Sequence, residues 1–477
     1  MAIKKSRRDF VVKSTLAAAG FFIVPRHVLG GPGFIAPSDQ LAIAAIGSGG
    51  KGGSDLKNAF NGGENRIVAL CDVDPERAAQ AIKDHSKASF YYDYRVMLDK
   101  ELDLDAVTIG TPDHTHALIA QNAMLRGKHV YVQKPLTHTI SEARLLTQTA
   151  EKYNIVTQMG NQGGSNQGVI RLKQWVQDQE IGRIEKVQVW TNRPVWPQGI
   201  QMPLANENEK PEKLDWDLWL GPATKRPFTP GLHPFNWRGF WEYGTGSLGD
   251  MGCHLFDAPY KALQLGYPSG VQCSVVDMYK EMWRPEYTPE ACPLAAKVAI
   301  DFPADKNNPN GVVFEWTDGG LQPAIPEELA ATFVPSTNGV YMMGSNGVIT
   351  CDTYGNYPTL FKKGQEPLLF DTSVQGNLDL NHNQAWTEAC KAGYGSVEHK
   401  ALTSSFDYSG PFTETVLMGN LAIRSHQLRK ESALGREEYF GRKKLYWDGI
   451  NMKITNLEEA NQFVTKPYRK GWELSNL

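Results

Sequence analysis

Short apolar runs alternate with helical periodicity from Gln40 to about Asn161. Strands are predicted at residues 41–46, 67–71, 106–109, 129–132 and 155–158, with helices around 78–84, 116–125 and 141–153. Strands that are apolar almost throughout, separated by helices, form a parallel sheet covered on both faces. After Gly160 the pattern changes. Strand-like runs at 186–191, 271–278, 296–302 and 312–316 are separated by turns, and runs at 340–343 and 348–350 flank Gly344-Ser345-Asn346-Gly347, a hairpin signal. Helices are expected at about 384–392 and 412–430, and 206–213 and 305–310 look like surface insertions. The expected class is α/β: an N-terminal doubly wound Rossmann sheet over residues 37–161, then a C-terminal α+β domain over 162–477 with a large open, mostly antiparallel sheet.

Composition narrows the possibilities. The 477 residues suit two domains, and a net charge of −3 leaves no broad basic field for nucleic acid. Basic residues cluster at the extreme N-terminus, where Ser6-Arg7-Arg8-Asp9-Phe10-Val11 precedes a modestly apolar stretch at 15–24. Residues 1–36 therefore read as a twin-arginine export signal and linker. The expected destination is the periplasm, the expected partner the export machinery, and an uncleaved signal would tether the protein to the membrane. The six cysteines contain no C-x-x-C pair, so no zinc knuckle or thioredoxin-like site is indicated. Disulfides and buried thiols are both left open.

The stretch Gly47-Ser48-Gly49-Gly50-Lys51-Gly52 directly follows the first apolar run, and the second ends in Asp72, 20 residues beyond Gly52. Strand, G-x-G-x-x-G, helix, strand, acid is a dinucleotide-binding order, which a glycine-rich surface loop would not need. Gly47 serves the turn, Gly49 and Gly50 the close approach of pyrophosphate, and Gly52 the packing of helix on strand. The helix N-terminus offers unpaired N–H groups to phosphate. Asp72 suits the adenosine ribose of NAD, and nearby Arg77 leaves NADP open. Twin-arginine export carries folded proteins, so a tightly held cofactor is expected.

Three sites could carry chemistry. Thr111-Pro112-Asp113-His114-Thr115-His116 lies where a parallel strand ends; Thr111, Pro112 and His116 are assigned to the cofactor, although His116 can equally open the next helix. Metal binding by Asp113, His114 and His116 lacks matching ligands elsewhere, so no metal is expected. Gln133-Lys134-Pro135 follows another strand, and an ammonium there can stabilise alkoxide character. In Gly249-Asp250-Met251-Gly252-Cys253-His254, continuing to Asp257, three polar groups share one helical face. That triplet alone does not distinguish a proton-transfer group from a capped core histidine. Arg193, Trp196, Arg238 and Tyr243, with Asp250 and His254, are candidate sugar contacts; the aromatic residues among them fit a core equally well.

Taken together, the glycine loop with Asp72, Thr111-Pro112, Gln133-Lys134-Pro135, and Asp250 with His254 resemble the Gfo/Idh/MocA oxidoreductases, which include glucose–fructose oxidoreductase and inositol dehydrogenases. The export signal and the C-terminal Trp447-Asp448-Gly449 and Tyr468-Arg469-Lys470-Gly471-Trp472 resemble a secreted branch. The resemblance implies Lys134, Asp250 and His254 as the catalytic group and Gln133 and Lys134 at the cofactor. It also implies hydride transfer between a sugar or glycoside carbon, with the third carbon as the specific expectation, and the nicotinamide. A homo-oligomer through the open sheet follows by analogy. The family usually carries Glu-Lys-Pro where this chain has Gln133. Two other outcomes stay open: an NAD-dependent glycosidase working by transient oxidation and elimination, and a non-catalytic sugar-binding protein.

Overall fold

The computed structural model describes residues 39–329, 333–371, 377–431 and 437–476; the expected export segment, residues 1–36, lies outside them. β1 (Ala42–Ile46) is buried at every position. It pairs in parallel with β2 (Arg66–Cys71) on one side and β4 (Ala106–Ile109) on the other. β3 (Ser89–Tyr91), β5 (His129–Val132) and β6 (Thr157–Met159) complete a six-stranded sheet in the order β3-β2-β1-β4-β5-β6. The order reverses between β1 and β4, so their carboxyl ends open a crevice there. Gly47 follows β1, Gly110 follows β4 and Gln133 follows β5, which brings three of the sequence-predicted segments to one edge.

The last strand begins later than its apolar pattern predicts. The Val156 N–H donates to His129 Nδ1 at 3.1 Å, so regular pairing is assigned only from Thr157. β3 and the helix Tyr94–Lys100 were not anticipated, although Asp93 caps that helix by accepting from the Arg95 N–H.

The second sheet has ten strands and is antiparallel except where Ile184–Trp190 pairs with Val312–Thr317. Its hairpin joins Gly339–Gly344 to Gly347–Cys351 through Ser345-Asn346. One face alternates with the other in burial, as in Ala296–Phe302. Phe314 and Trp316, fully buried, pack on Phe256. The long helix Phe406–His426 lies against this sheet and against Ile140–Lys152. Between those helices Arg144 makes a two-pronged contact to Glu414, both bonds at 2.8 Å, so the parallel-sheet domain is bound firmly to the second domain. The chain end also returns to the first domain, where the Ser475 N–H donates to Gln121 Oε1 at 2.8 Å. All six thiols are free. No helix among the described residues is long and apolar enough to cross a membrane.

Candidate active site

The glycine loop is shaped by close backbone approach. Gly47 has φ +75°, and a Cβ there would lie 2.8 Å from the Gly110 carbonyl carbon. A Cβ on Gly52 would run into the Gly47 carbonyl oxygen. Helix Gly50–Phe60 starts from Gly49 without a side-chain cap, so its first N–H groups remain available to an anion. Asp72 accepts from the Gly49 N–H at 3.0 Å and the Asp74 N–H at 3.0 Å. Burial raises its carboxyl to about 6, against the pull of those N–H groups. A cavity of about 360 Å³ follows the loop, lined by Gly47, Gly49, Gly50, Asp72, Thr111 and Pro112. Arg77, Trp219 and Trp472 also line it. A glycine cradle, free N–H groups and a carboxylate in the cavity wall together fit a nicotinamide dinucleotide.

A second cavity of about 440 Å³ shares Lys51, Gly110, Thr111, Trp237 and Arg238 with the first. Lys134, Asp250 and His254 line it, as do Arg193 and Gln133. The Lys134 ammonium donates to Asp250 Oδ1 at 2.7 Å and to the Asp250 carbonyl at 2.8 Å. Arg238 Nε lies 3.7 Å from the same carboxylate. Burial would raise the Asp250 carboxyl, but the Lys134 and Arg238 cations hold it below the ordinary carboxylate value. Burial and the neighbouring ammonium lower the His254 imidazole to about 3, so it stands neutral. Its Nδ1 is buried without a partner, which leaves Nε2 as the nitrogen open to the cavity. Tyr354 packs edge-on to the ring at 5.1 Å.

Several expected contacts belong elsewhere. His116 lines neither cavity: its Nδ1 and Nε2 each lie 2.8 Å from a backbone carbonyl, of Pro135 and Thr111. It ties the two strand-end loops together instead of touching the cofactor crevice. Trp196 is buried, with its indole N–H donating to Gln198 Oε1 at 2.9 Å. Tyr243 is fully buried between His114 and Trp219. Both aromatics fill the core, which is where large apolar rings gain most. Asp257 begins a separate helix, Asp257–Leu263, and binds Asn161, Lys261 and Tyr408 rather than joining His254. His114 Nε2 lies 3.1 Å from the Trp219 carbonyl, and no cluster of three metal-ligating side chains occurs among the described residues.

The structure adds a group that sequence reading missed. The Lys51 ammonium lies 2.9 Å from Asp55 Oδ1 and 3.1 Å from Asp379 Oδ2. Gln133 Nε2 donates to Asp55 Oδ2 at 2.6 Å in a buried contact. The departure from the family's glutamate therefore has a physical reason, since a second carboxylate would face Asp55. Gln133→Glu is expected to destabilise the fold by about 1–3 kcal/mol at neutral pH. The pair would hold one proton more than the unfolded chain above about pH 4, so the deficit grows as pH rises. Thermal unfolding across pH checks this, and adding Asp55→Asn should restore the midpoint.

The comparisons agree with this architecture. The family described as "Oxidoreductase family, NAD-binding Rossmann fold" matches residues 41–161, and its C-terminal alpha/beta domain matches 172–275. A glycosyl hydrolase family 109 protein of Shewanella pealeana is 30% identical over 173 residues, 31% of this chain and 38% of that protein. A levoglucosan dehydrogenase of Pseudarthrobacter phenanthrenivorans is 31% identical over 115 residues, 24% of this chain and 29% of that protein. The chain thus spans less than two fifths of these relatives' length. Among solved structures, levoglucosan dehydrogenase with NADH and levoglucosan aligns at TM-score 0.55 and 18% identity, covering 80% of this chain and 97% of that one. An aldose-aldose oxidoreductase from Caulobacter crescentus aligns at 0.54 and 16% identity, covering 84% and 99%. These two show the shared fold. Residues 41–161 thus carry the NAD-binding Rossmann domain of the Gfo/Idh/MocA oxidoreductase family, and residues 172–275 match its C-terminal alpha/beta domain.

Proposed function

We propose that the protein is a nicotinamide-dependent oxidoreductase acting on a hydroxyl of a sugar or glycoside. The observation that carries this reading is the convergence of Lys134, Asp250 and His254 on one cavity that opens into the glycine-loop crevice. Gly47, Gly49, Gly50 and Asp72 would hold the cofactor, with Thr111, Pro112 and Gln133 toward its reactive end. When bound, the nicotinamide supplies hydride acceptance and return. His254 Nε2 takes the proton of the substrate hydroxyl. Lys134 donates to that oxygen and offsets the charge that develops on it. Asp250 fixes the ammonium, and Arg193 and Arg238 bind neighbouring hydroxyls. The levoglucosan dehydrogenase relative supports a carbohydrate substrate.

The glycosyl hydrolase relative favours a second reading, in which the hydride returns and a glycosidic bond is cleaved. Denaturing the purified protein and identifying released nicotinamide, then incubating native protein with glycosides, tests both. A keto sugar supports net oxidation and a cleaved bond without net cofactor change supports hydrolysis; absence of nicotinamide binding contradicts both. Export, a periplasmic location and the secreted branch rest on Ser6-Arg7-Arg8-Asp9-Phe10-Val11 and the apolar stretch after it. A homo-oligomer through the ten-stranded sheet is part of the same proposal.

The pH dependence follows from His254. Its working form is the neutral base, which is lost as pH falls through its pKa. Burial and Lys134 place that pKa at about 3. At saturating cofactor, kcat/KM should therefore stay level from about pH 8 to about pH 5, with no inflection near the ordinary histidine value. A pH–rate profile checks this.

A further inference from the structure

A third cavity, of about 290 Å³, shares no residue with the two described above. Three cations line it: Arg226, Arg424 and Lys466. Arg226 Nη2 donates to Glu242 at 2.7 Å. Lys466 lies 2.9 Å from Glu142 Oε1, donates to the His114 carbonyl at 2.9 Å and reaches His138 Nδ1 at 3.2 Å. Arg424 differs. Among the described residues its guanidinium makes no hydrogen bond or ion pair; it stacks over Phe463 at 4.3 Å and lies 5.8 Å from the Trp241 ring. Burial lowers it to about 10. Trp241, which lines the same cavity and is 6% exposed, carries a buried indole N–H without an acceptor.

An indole N–H held out of water without an acceptor is costly, and the half-buried Arg424 guanidinium lies over the same ring with no acceptor of its own. The carboxylates nearby do not resolve this. Glu242 already accepts from Arg226 and from the Thr224 N–H at 2.9 Å, and Glu290 is exposed. An incoming oxyanion would meet the planar fork of Arg424 and the Trp241 donor. The walls from Pro222, Ala223, Pro289 and Pro467 suit a compact, weakly polar body. We propose that this cavity binds a small molecule bearing one carboxylate or phosphate, held by Arg424 and Trp241.

Calorimetric titration of the full chain tests it, with NADH saturating so that the glycine loop's phosphate seat is filled. Benzoate and inorganic phosphate are titrated separately, which separates a carboxylate from a phosphate ligand. Saturable one-site binding of at least one probe is expected. Arg424→Gln should weaken it at least about tenfold, and Trp241→Phe, which keeps the ring, about threefold. Lys134→Ala should leave it unchanged. No saturable binding of either probe at millimolar concentration, native affinity in both Arg424→Gln and Trp241→Phe, or loss of binding in Lys134→Ala would overturn the proposal. If Arg424→Gln does not fold, the Trp241→Phe arm decides.

Discussion

Replacing Lys134 by alanine is expected to lower kcat about 10³-fold while the protein keeps its fold and its nicotinamide. The ammonium is the cation bonded directly to Asp250 in the cavity, at 2.7 Å, and charge on a departing substrate proton's oxygen develops beside it. The fold should survive because Arg238, 3.7 Å from the same carboxylate, remains to offset it. His254 should also become easier to protonate, since burial and Lys134 are the two largest causes of its low pKa. A shifted acid limb in the pH–rate profile would therefore accompany the loss of kcat, a change that a purely structural role would not produce. Steady-state kinetics with quantified bound nicotinamide checks the prediction; activity within about tenfold of native would remove Lys134 from the mechanism.

Gly52→Ala should abolish nicotinamide retention and cost about 3 kcal/mol or more of stability. The added methyl meets the Gly47 carbonyl oxygen, and both sides of that contact are backbone. Neither side can yield by a rotamer change. Gly47 is itself wedged against Gly110 at the switch point, so relief would have to move a strand end. Gly266→Ala is the control, because a Cβ there meets nothing within 4 Å. Thermal midpoints and released nicotinamide distinguish the two variants. Normal retention in Gly52→Ala would mean that the loop does not seat the cofactor.

Much of this arrangement was legible because its signals are local. Gly47 to Gly52 with Asp72 declares itself by spacing, and Lys134 declares itself by following an apolar strand. Asp250 and His254 sit one turn apart, so their shared face is a property of the helix alone. Lys51 and Asp55 sit one turn apart on their own helix, but Asp379, 328 residues from Lys51, was not legible because no local pattern ties it to them. Trp472 reaches the cofactor crevice from the chain's end for the same reason. Trp196 and Tyr243 mislead because aromatic residues beside a site are the same types that fill a core. His116 misleads differently: its position near a strand end is right, but two carbonyls claim its ring.

In the proposed reaction, hydride moves from a sugar carbon to a nicotinamide held by this chain. Incubating the purified protein with a glycoside deuterated at its ring carbons, then analysing the released cofactor by mass spectrometry, measures that directly. Deuterium on the nicotinamide ring, strongly reduced in Lys134→Ala, is the predicted result. Conversion of the glycoside to a keto sugar with no deuterium on the cofactor would contradict it.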